Sequence, residues 1–243
     1  MKNKFLSFIT KPFTNFIERK KNQSNLKKKL KSVPRYSSFN EIKKLEGELS
    51  YFENKLNDYG KIGIILGARG SGKSALGMKI LENIASKNKK VFALGFRKDR
   101  LPVWITPIEN INEVPNNSFL LVDEAGIEFS SRSAMSSVNK LLSELLLISR
   151  HKNISIIFIT QNSSNIEINT LRQADYLLLK PSSLLQLDFE RKKIKEIYKE
   201  VIEIFKKHPD KDTTYIYSDS YRGFVKVPLP LFWTEDLSRS YSK

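Results

Sequence analysis

Short runs of consecutive apolar residues recur along this chain, separated by longer stretches in which apolar positions return every three or four residues. A wholly apolar run of strand length predicts a strand buried on both faces, and the longer period predicts an amphipathic helix. By these rules KIGIILG is a strand and SGKSALGMKILENIASKNKK a helix. KVFALGF is a strand, followed by a loop through Pro102 and Pro107. SFLLVDEAG is a strand, SVNKLLSELLLISRHK a helix, NISIIFITQN a strand and IEINTLRQA a short helix. DYLLLKP is a strand, and LLQLDFERKKIKEIYKEVIEIFKKH reads as one long helix. TTYIYSD and GFVKVPLP finish the pattern as strands, paired in a hairpin around Tyr221–Gly223. Alternating strands and helices predict an α/β fold, a mostly parallel sheet with helices on both faces.

The beginning of the chain departs from this rhythm. MKNKFLSFITKPFTNFIERKK places Phe5, Phe8, Ile9, Phe13, Phe16 and Ile17 at roughly helical spacing, with Lys11 and Pro12 interrupting the stripe. Three readings stand: a helix docked on the domain or a partner, a membrane-surface helix, or a disordered basic tail. NLKKKLKSVPRYSS reads as a linker. SFNEIKKLEGELSYFENKL reads as an amphipathic helix capped by Ser38 or Asn40. The organisation is thus a basic arm and linker over residues 1–35 and one domain over residues 36–243.

Composition narrows the function classes. The 243 residues suffice for one sizeable domain, and 40% hydrophobic residues suit a packed core. The absence of cysteine excludes a disulfide framework or thiolate zinc cluster, and two histidines, His151 and His208, argue against an all-protein metal site. No apolar run reaches the length of a transmembrane span. The expected location is cytoplasmic, with virion association or peripheral attachment at a membrane left open. The net charge of +16 is uneven: residues 1–35 hold eleven Lys/Arg against one acid, Glu18. Such an arm attracts phosphates of nucleic acid or anionic lipid.

The chemistry begins at GARGSGKS, residues 67–74, which matches G-x-x-x-x-G-K-[ST] between a predicted strand and a predicted helix. Gly67, Ala68, Arg69, Gly70, Ser71, Gly72, Lys73, Ser74 and Ala75 form the candidate ATP-binding segment. Its glycines let backbone N–H groups converge on a pyrophosphate, and the following helix presents its positive N-terminus to the same anion. Lys73 would reach the β- and γ-phosphates, and Ser74 would ligate Mg²⁺. SFLLVDEAG delivers Asp123 to the carboxyl edge of the sheet, where it can hold Mg²⁺ through water. Glu124, one residue on, can act as the base that activates water. A small-molecule kinase would need an acceptor pocket and lid and would not need that adjacent carboxylate. Gln161, ending an apolar strand, suits a sensor of γ-phosphate or water.

These three elements, with RHKNISIIFITQ as the most telling stretch, resemble the FtsK/HerA superfamily of DNA-pumping ATPases over roughly residues 61–180. Within it the compact form looks like the genome-packaging ATPases of membrane-containing viruses. The Zot-like filamentous-phage assembly ATPases are a close rival, similar through DEAG…FSSRS and the spacing of SRHKNISIIFITQN. The resemblance implies the additional-strand P-loop NTPase fold, with the Gln161 strand between the cradle strand and the Asp-Glu strand. It also implies a ring, usually a homo-hexamer, with ATP between subunits and an arginine acting in trans. Arg172, then Arg150, then Arg132 are the candidates. Double-stranded DNA, gripped by its phosphate backbone, is the expected polymer, since no base-reading motif is present. A capsid or membrane-protein partner would engage the N-terminal arm. The alternative is a membrane-associated ATPase for virion or filament assembly and extrusion. Phe232 and Trp233 are expected to pin the C-terminal tail to the domain.

Overall fold

A computed structural model describes residues 24, 28–124, 134–166, 168–234 and 237. The Phe/Ile stripe of the arm and the whole AG…FSSRS stretch, Arg132 included, lie outside the described residues.

The strands are β1 (Asn40–Gly47), β2 (Ile62–Leu66), β3 (Val91–Leu94), β4 (Ile105–Ile108), β5 (Phe119–Asp123), β6 (Ser155–Thr160), β7 (Tyr176–Leu179), β8 (Thr213–Ser218) and β9 (Tyr221–Lys226). The helices are α1 (Leu49–Lys55), α2 (Lys73–Ala85), α3 (Ala134–Lys152), α4 (Ile168–Arg172), α5 (Leu184–Phe189) and α6 (Lys192–Lys207). Among the described residues they build one sheet in the order β1-β9-β8-β7-β2-β6-β5-β3-β4. From β7 to β4 every neighbouring pair is parallel, while β8, β9 and β1 extend the sheet antiparallel. The fold is therefore the mostly parallel α/β sheet that the apolar runs predict.

Successive strand side chains point to opposite faces, so an all-apolar strand needs cover on both. Ile65, Leu121, Ile157 and Ile159 pack with Leu76, Ile80, Leu81 and Ile84 of α2. Their neighbours Ile64, Leu120, Val122, Ile156 and Phe158 pack with Leu142 and Leu145 of α3. Leu66 and Leu179 meet Ile194, Ile197, Tyr198, Val201 and Phe205 of α6. The central helix α2 is buried at every position but Ser74, which explains its weak amphipathic pattern.

The structure departs from the sequence-based expectations in four places. NEIKKLEG is a strand, not the start of a helix: it pairs antiparallel with β9, with two register irregularities, and helix begins only at Leu49. The open edge of β9 supplies hydrogen-bond partners that outweigh the segment's local helix propensity. The loop through Pro102 and Pro107 contains β4, an edge strand in which Pro107 pairs with Ala93; proline is tolerated at an edge because its missing N–H faces outward. The long C-terminal helix is two helices, α5 and α6, separated at Glu190–Arg191. The hairpin forms, but Tyr221–Gly223 belong to β9 and the turn falls at Asp219–Ser220.

The described segments nearest both ends of the chain pack on the domain. Val103 donates its backbone N–H to the Leu30 carbonyl at 3.0 Å, Trp104 Nε1 donates to the Ser32 carbonyl at 3.0 Å, and Ser37 exchanges two bonds with the Asn83 amide. Phe232 is fully buried, edge-on to Trp104 at 5.7 Å, so the expected pinning of the C-terminal segment is present.

Gly63 on β2 sits under the Tyr176 ring, and a Cβ there would lie 2.1 Å from a ring carbon. Gly63→Ala should cost about 1–3 kcal/mol, as overpacked core positions do. In a Tyr176→Leu background the same change should cost measurably less; equal costs by urea denaturation would refute the steric account.

Candidate active site

β2 stops at Leu66, and after six intervening residues α2 begins at Lys73. Gly70 and Gly72 have φ of +76° and +94°, the left-handed region where a Cβ is strained. The loop closes through the Ser71 N–H donating to the Ala68 carbonyl at 3.2 Å, and Ala68 N–H donates to the Pro181 carbonyl at 3.0 Å. First-turn amides of a helix have no intrahelical acceptor, so the start of α2 directs N–H groups and a positive dipole end at this concavity.

Lys73 is buried and donates to the Gly67 and Ala68 carbonyls at 2.8 and 2.9 Å. Burial pushes its ammonium down to about 8, while the carboxylates of Asp123 and Glu124 pull the other way. Ser74 Oγ donates to Asp123 Oδ2 at 3.2 Å. That pair unites α2 with the end of β5, and its oxygen donors fit a hard divalent cation completed by phosphate and water. Glu124 follows directly and is buried. The structure thus brings together Gly67, Ala68, Gly70, Ser71, Gly72, Lys73, Ser74, Ala75, Asp123 and Glu124.

β6 lies between β2 and β5, with Leu66 opposite Thr160 and Asp123 opposite Ile159. Gln161 therefore leaves the sheet between the cradle and the acidic strand, where the family resemblance placed it. It is exposed, and its carbonyl accepts from Gln186 Nε2. Arg69 is exposed on the cradle loop. Arg150 and Arg172 are also exposed, on α3 and α4; Arg150 Nη2 donates to Gln173 Oε1 at 3.0 Å.

Two groups escaped the sequence reading. Lys180, directly after β7, is 1% exposed, and its Nζ donates to the Lys211 carbonyl, the Thr213 carbonyl and Thr214 Oγ1 at 2.7, 3.0 and 2.9 Å. A Cβ on Gly67 would lie 2.6 Å from Lys180 Cβ, so the ammonium stem runs beneath the cradle. Burial lowers Lys180 to about 7, opposed by Asp212. The other group is Ser163 with Glu190 and Arg191, behind Gln161. A lysine closing the apolar run YLLL was the visible signal for the first; the second joins residues distant in sequence and left none.

A strand, a glycine loop closed on a buried lysine and a serine–aspartate pair at the carboxyl edge of a parallel sheet define a P-loop NTPase fold. Residues 101–177, less than half of the chain, match the family model of zonular occludens toxin (Zot). No curated protein sequence matches. Among solved structures, the genome packaging NTPase B204 from Sulfolobus turreted icosahedral virus 2 in complex with AMPPCP is similar, with TM-score 0.51 and 16% identity, over 72% of this chain and 100% of that one. The AMP complex of the same protein gives TM-score 0.50 and 16% identity, over 71% and 99%. The resemblance read from residues 61–180 thus agrees with a fold shared with a viral packaging NTPase and with a partial match to the Zot model. Among the described residues no helix is long and apolar enough to cross a membrane.

Lys180 makes stability depend on pH. Its folded value lies below its unfolded one, so between about 7 and the ordinary lysine range the unfolded chain binds a proton that the folded chain does not. Stability should therefore rise with pH through that window, by up to about 1.4 kcal/mol per pH unit from this group. Lys180→Met should flatten the rise in urea titrations; an unchanged slope would remove Lys180 as its source.

Proposed function

We propose that the protein is a Mg²⁺-dependent ATPase that translocates double-stranded DNA in viral genome packaging, working as a ring of identical subunits, with a hexamer as the expected size. The observation that carries the ATPase reading is the convergence of Lys73, Ser74, Asp123 and Glu124 at one edge of the sheet. Lys73 exchanges its carbonyl partners for β- and γ-phosphate oxygens when ATP enters. Ser74 and Asp123 hold the cation, which when bound neutralises charge across the two phosphates. Glu124 takes the proton of the attacking water, and Gln161 orients that water or senses the γ-phosphate. The fold shared with a viral packaging NTPase supports the packaging role. The basic arm, residues 1–35, grips the DNA backbone outside the ATPase domain of residues 36–243, or engages a capsid or membrane-protein partner.

A second reading is favoured by the Zot match over residues 101–177: an ATPase of virion or filament assembly and extrusion, attached at a membrane through the arm.

Lys73→Ala should abolish nucleotide binding or turnover. Glu124→Gln should bind ATP and lose hydrolysis by on the order of 10²–10⁴-fold, the usual contribution of a general base. Near-normal turnover in Glu124→Gln would remove it from that role. Double-stranded DNA, but not anionic liposomes, should stimulate the wild type; the reverse would favour the assembly reading.

For the ring, Arg172→Ala subunits doped into wild type should depress turnover more than in proportion to their share, with Arg150→Ala as the second candidate. Full activity of a monomer at high dilution would exclude a shared site.

A further inference from the structure

α5 and α6 are interrupted without glycine or proline. Glu190 and Arg191 adopt extended backbone, with φ/ψ of −73/153° and −58/143°, in a stretch, LDFERKKIKE, whose residues favour continuous helix. The compensation is found on the loop after Gln161. Ser163 is fully buried and every polar group it has is engaged by the junction. Its N–H donates to Glu190 Oε2 at 2.9 Å, and its hydroxyl donates to the same oxygen. That hydroxyl accepts from Arg191 N–H at 3.1 Å, and its carbonyl accepts from Arg191 Nε at 3.0 Å. Arg191 Nη2 goes on to the Ile166 carbonyl at 2.5 Å, and Gln186 of α5 donates to the carbonyl of Gln161 itself. Two turns along α6, Tyr198 donates to the Lys180 carbonyl at 2.9 Å, where β7 ends beneath the phosphate cradle. One α5–α6 unit thus grips both the Gln161 loop and the support of the cradle.

We propose that Arg191 and Glu190, with Gln186, are positioning residues that fix Gln161 relative to the phosphate cradle. The inference rests on the role given to Gln161 in the proposed function. The side chain of Gln161 is exposed and carried on a loop, so β6 sets where the residue leaves the sheet, and the junction sets how its backbone is aimed thereafter. Burial raises the Glu190 carboxyl above its ordinary value while the Ser163 bonds lower it, as expected of an acceptor placed inside the fold for its hydrogen bonds. The break between α5 and α6 has the same explanation: a continuous helix would present neither the Arg191 N–H nor the Glu190 carboxylate to Ser163.

The experiment compares steady-state ATP hydrolysis and amide hydrogen exchange in full-length wild type, Gln161→Ala, Arg191→Lys, Glu190→Ala, Glu190→Gln and the double variant Gln161→Ala/Arg191→Lys. A lysine cannot span the Ser163 and Ile166 carbonyls as the guanidinium fork does. Arg191→Lys should therefore lower kcat roughly 10–100-fold, the scale of a small misplacement of a positioned group, with KM for ATP within about twofold of wild type, the mark of loss confined to the transition state. The double variant should be no slower than Gln161→Ala alone, because the clamp acts through that side chain. Glu190→Gln, which keeps an acceptor for Ser163, should recover most of the turnover lost in Glu190→Ala. Exchange at residues 163–166 should quicken in Arg191→Lys whether or not turnover is measured.

Equal slowing by Arg191→Lys in both backgrounds, or a parallel loss of ATP binding, would overturn the proposal in favour of a purely structural role. Wild-type kcat or unchanged exchange in Arg191→Lys, beside a slowed Gln161→Ala, would sink the clamp alone. Wild-type turnover in Gln161→Ala would remove the role given to that side chain and the clamp's catalytic meaning with it.

Discussion

A loop that keeps part of its backbone amides for phosphate has only the rest with which to hold itself in shape, and the remainder of this structure answers that constraint. Within residues 67–72 the loop closes by a bond from Ser71 to Ala68 and by Lys73 reaching back to two carbonyls. The remaining support comes from outside. Pro181 accepts from Ala68, Lys180 runs underneath, and Tyr198 fastens the Lys180 carbonyl to α6. Each support satisfies a buried polar group as it braces the loop, so removing one both loosens the cradle and leaves a partner unpaired.

The antiparallel strands gain a purpose from this. The parallel strands would suffice to bring the cradle, the acidic strand and Gln161 side by side. β8 adds the Thr213 carbonyl and the Thr214 hydroxyl, and the approach to β8 adds the Lys211 carbonyl. A buried ammonium is tolerated when its donors are matched, and here all three have acceptors. β9 and β1 continue the sheet outward, and β1 ends it with a polar, irregular edge that is a poor template for further pairing.

Charge in the site is arranged by burial and proximity. Lys73 lies under two carboxylates that offset part of its desolvation. Asp123 is tied to Ser74, while Glu124 differs by a single step along the chain. Neighbouring positions at the end of a strand leave in different directions, which suits adjacent carboxylates to the separate roles proposed for them.

The sequence by itself determined the parallel strands, the cradle and the acidic pair. Each of these is written in contiguous residues: wholly apolar runs, a fixed glycine–lysine spacing, a carboxylate at a strand end. Local pattern misled at NEIKKLEG, at Pro107 and at LDFERKK, where propensity described the segment and a distant partner decided it. β9 made a strand of the first, β3 of the second, and Ser163 broke the helix in the third. The partners of Lys180, Tyr198, Glu190 and Arg191 belong to the tertiary structure alone. Their hydrogen bonds join residues 18 to 132 positions apart. A period can show which face of a segment is apolar, but which buried polar atom meets which is set only when the packed elements bring them within reach.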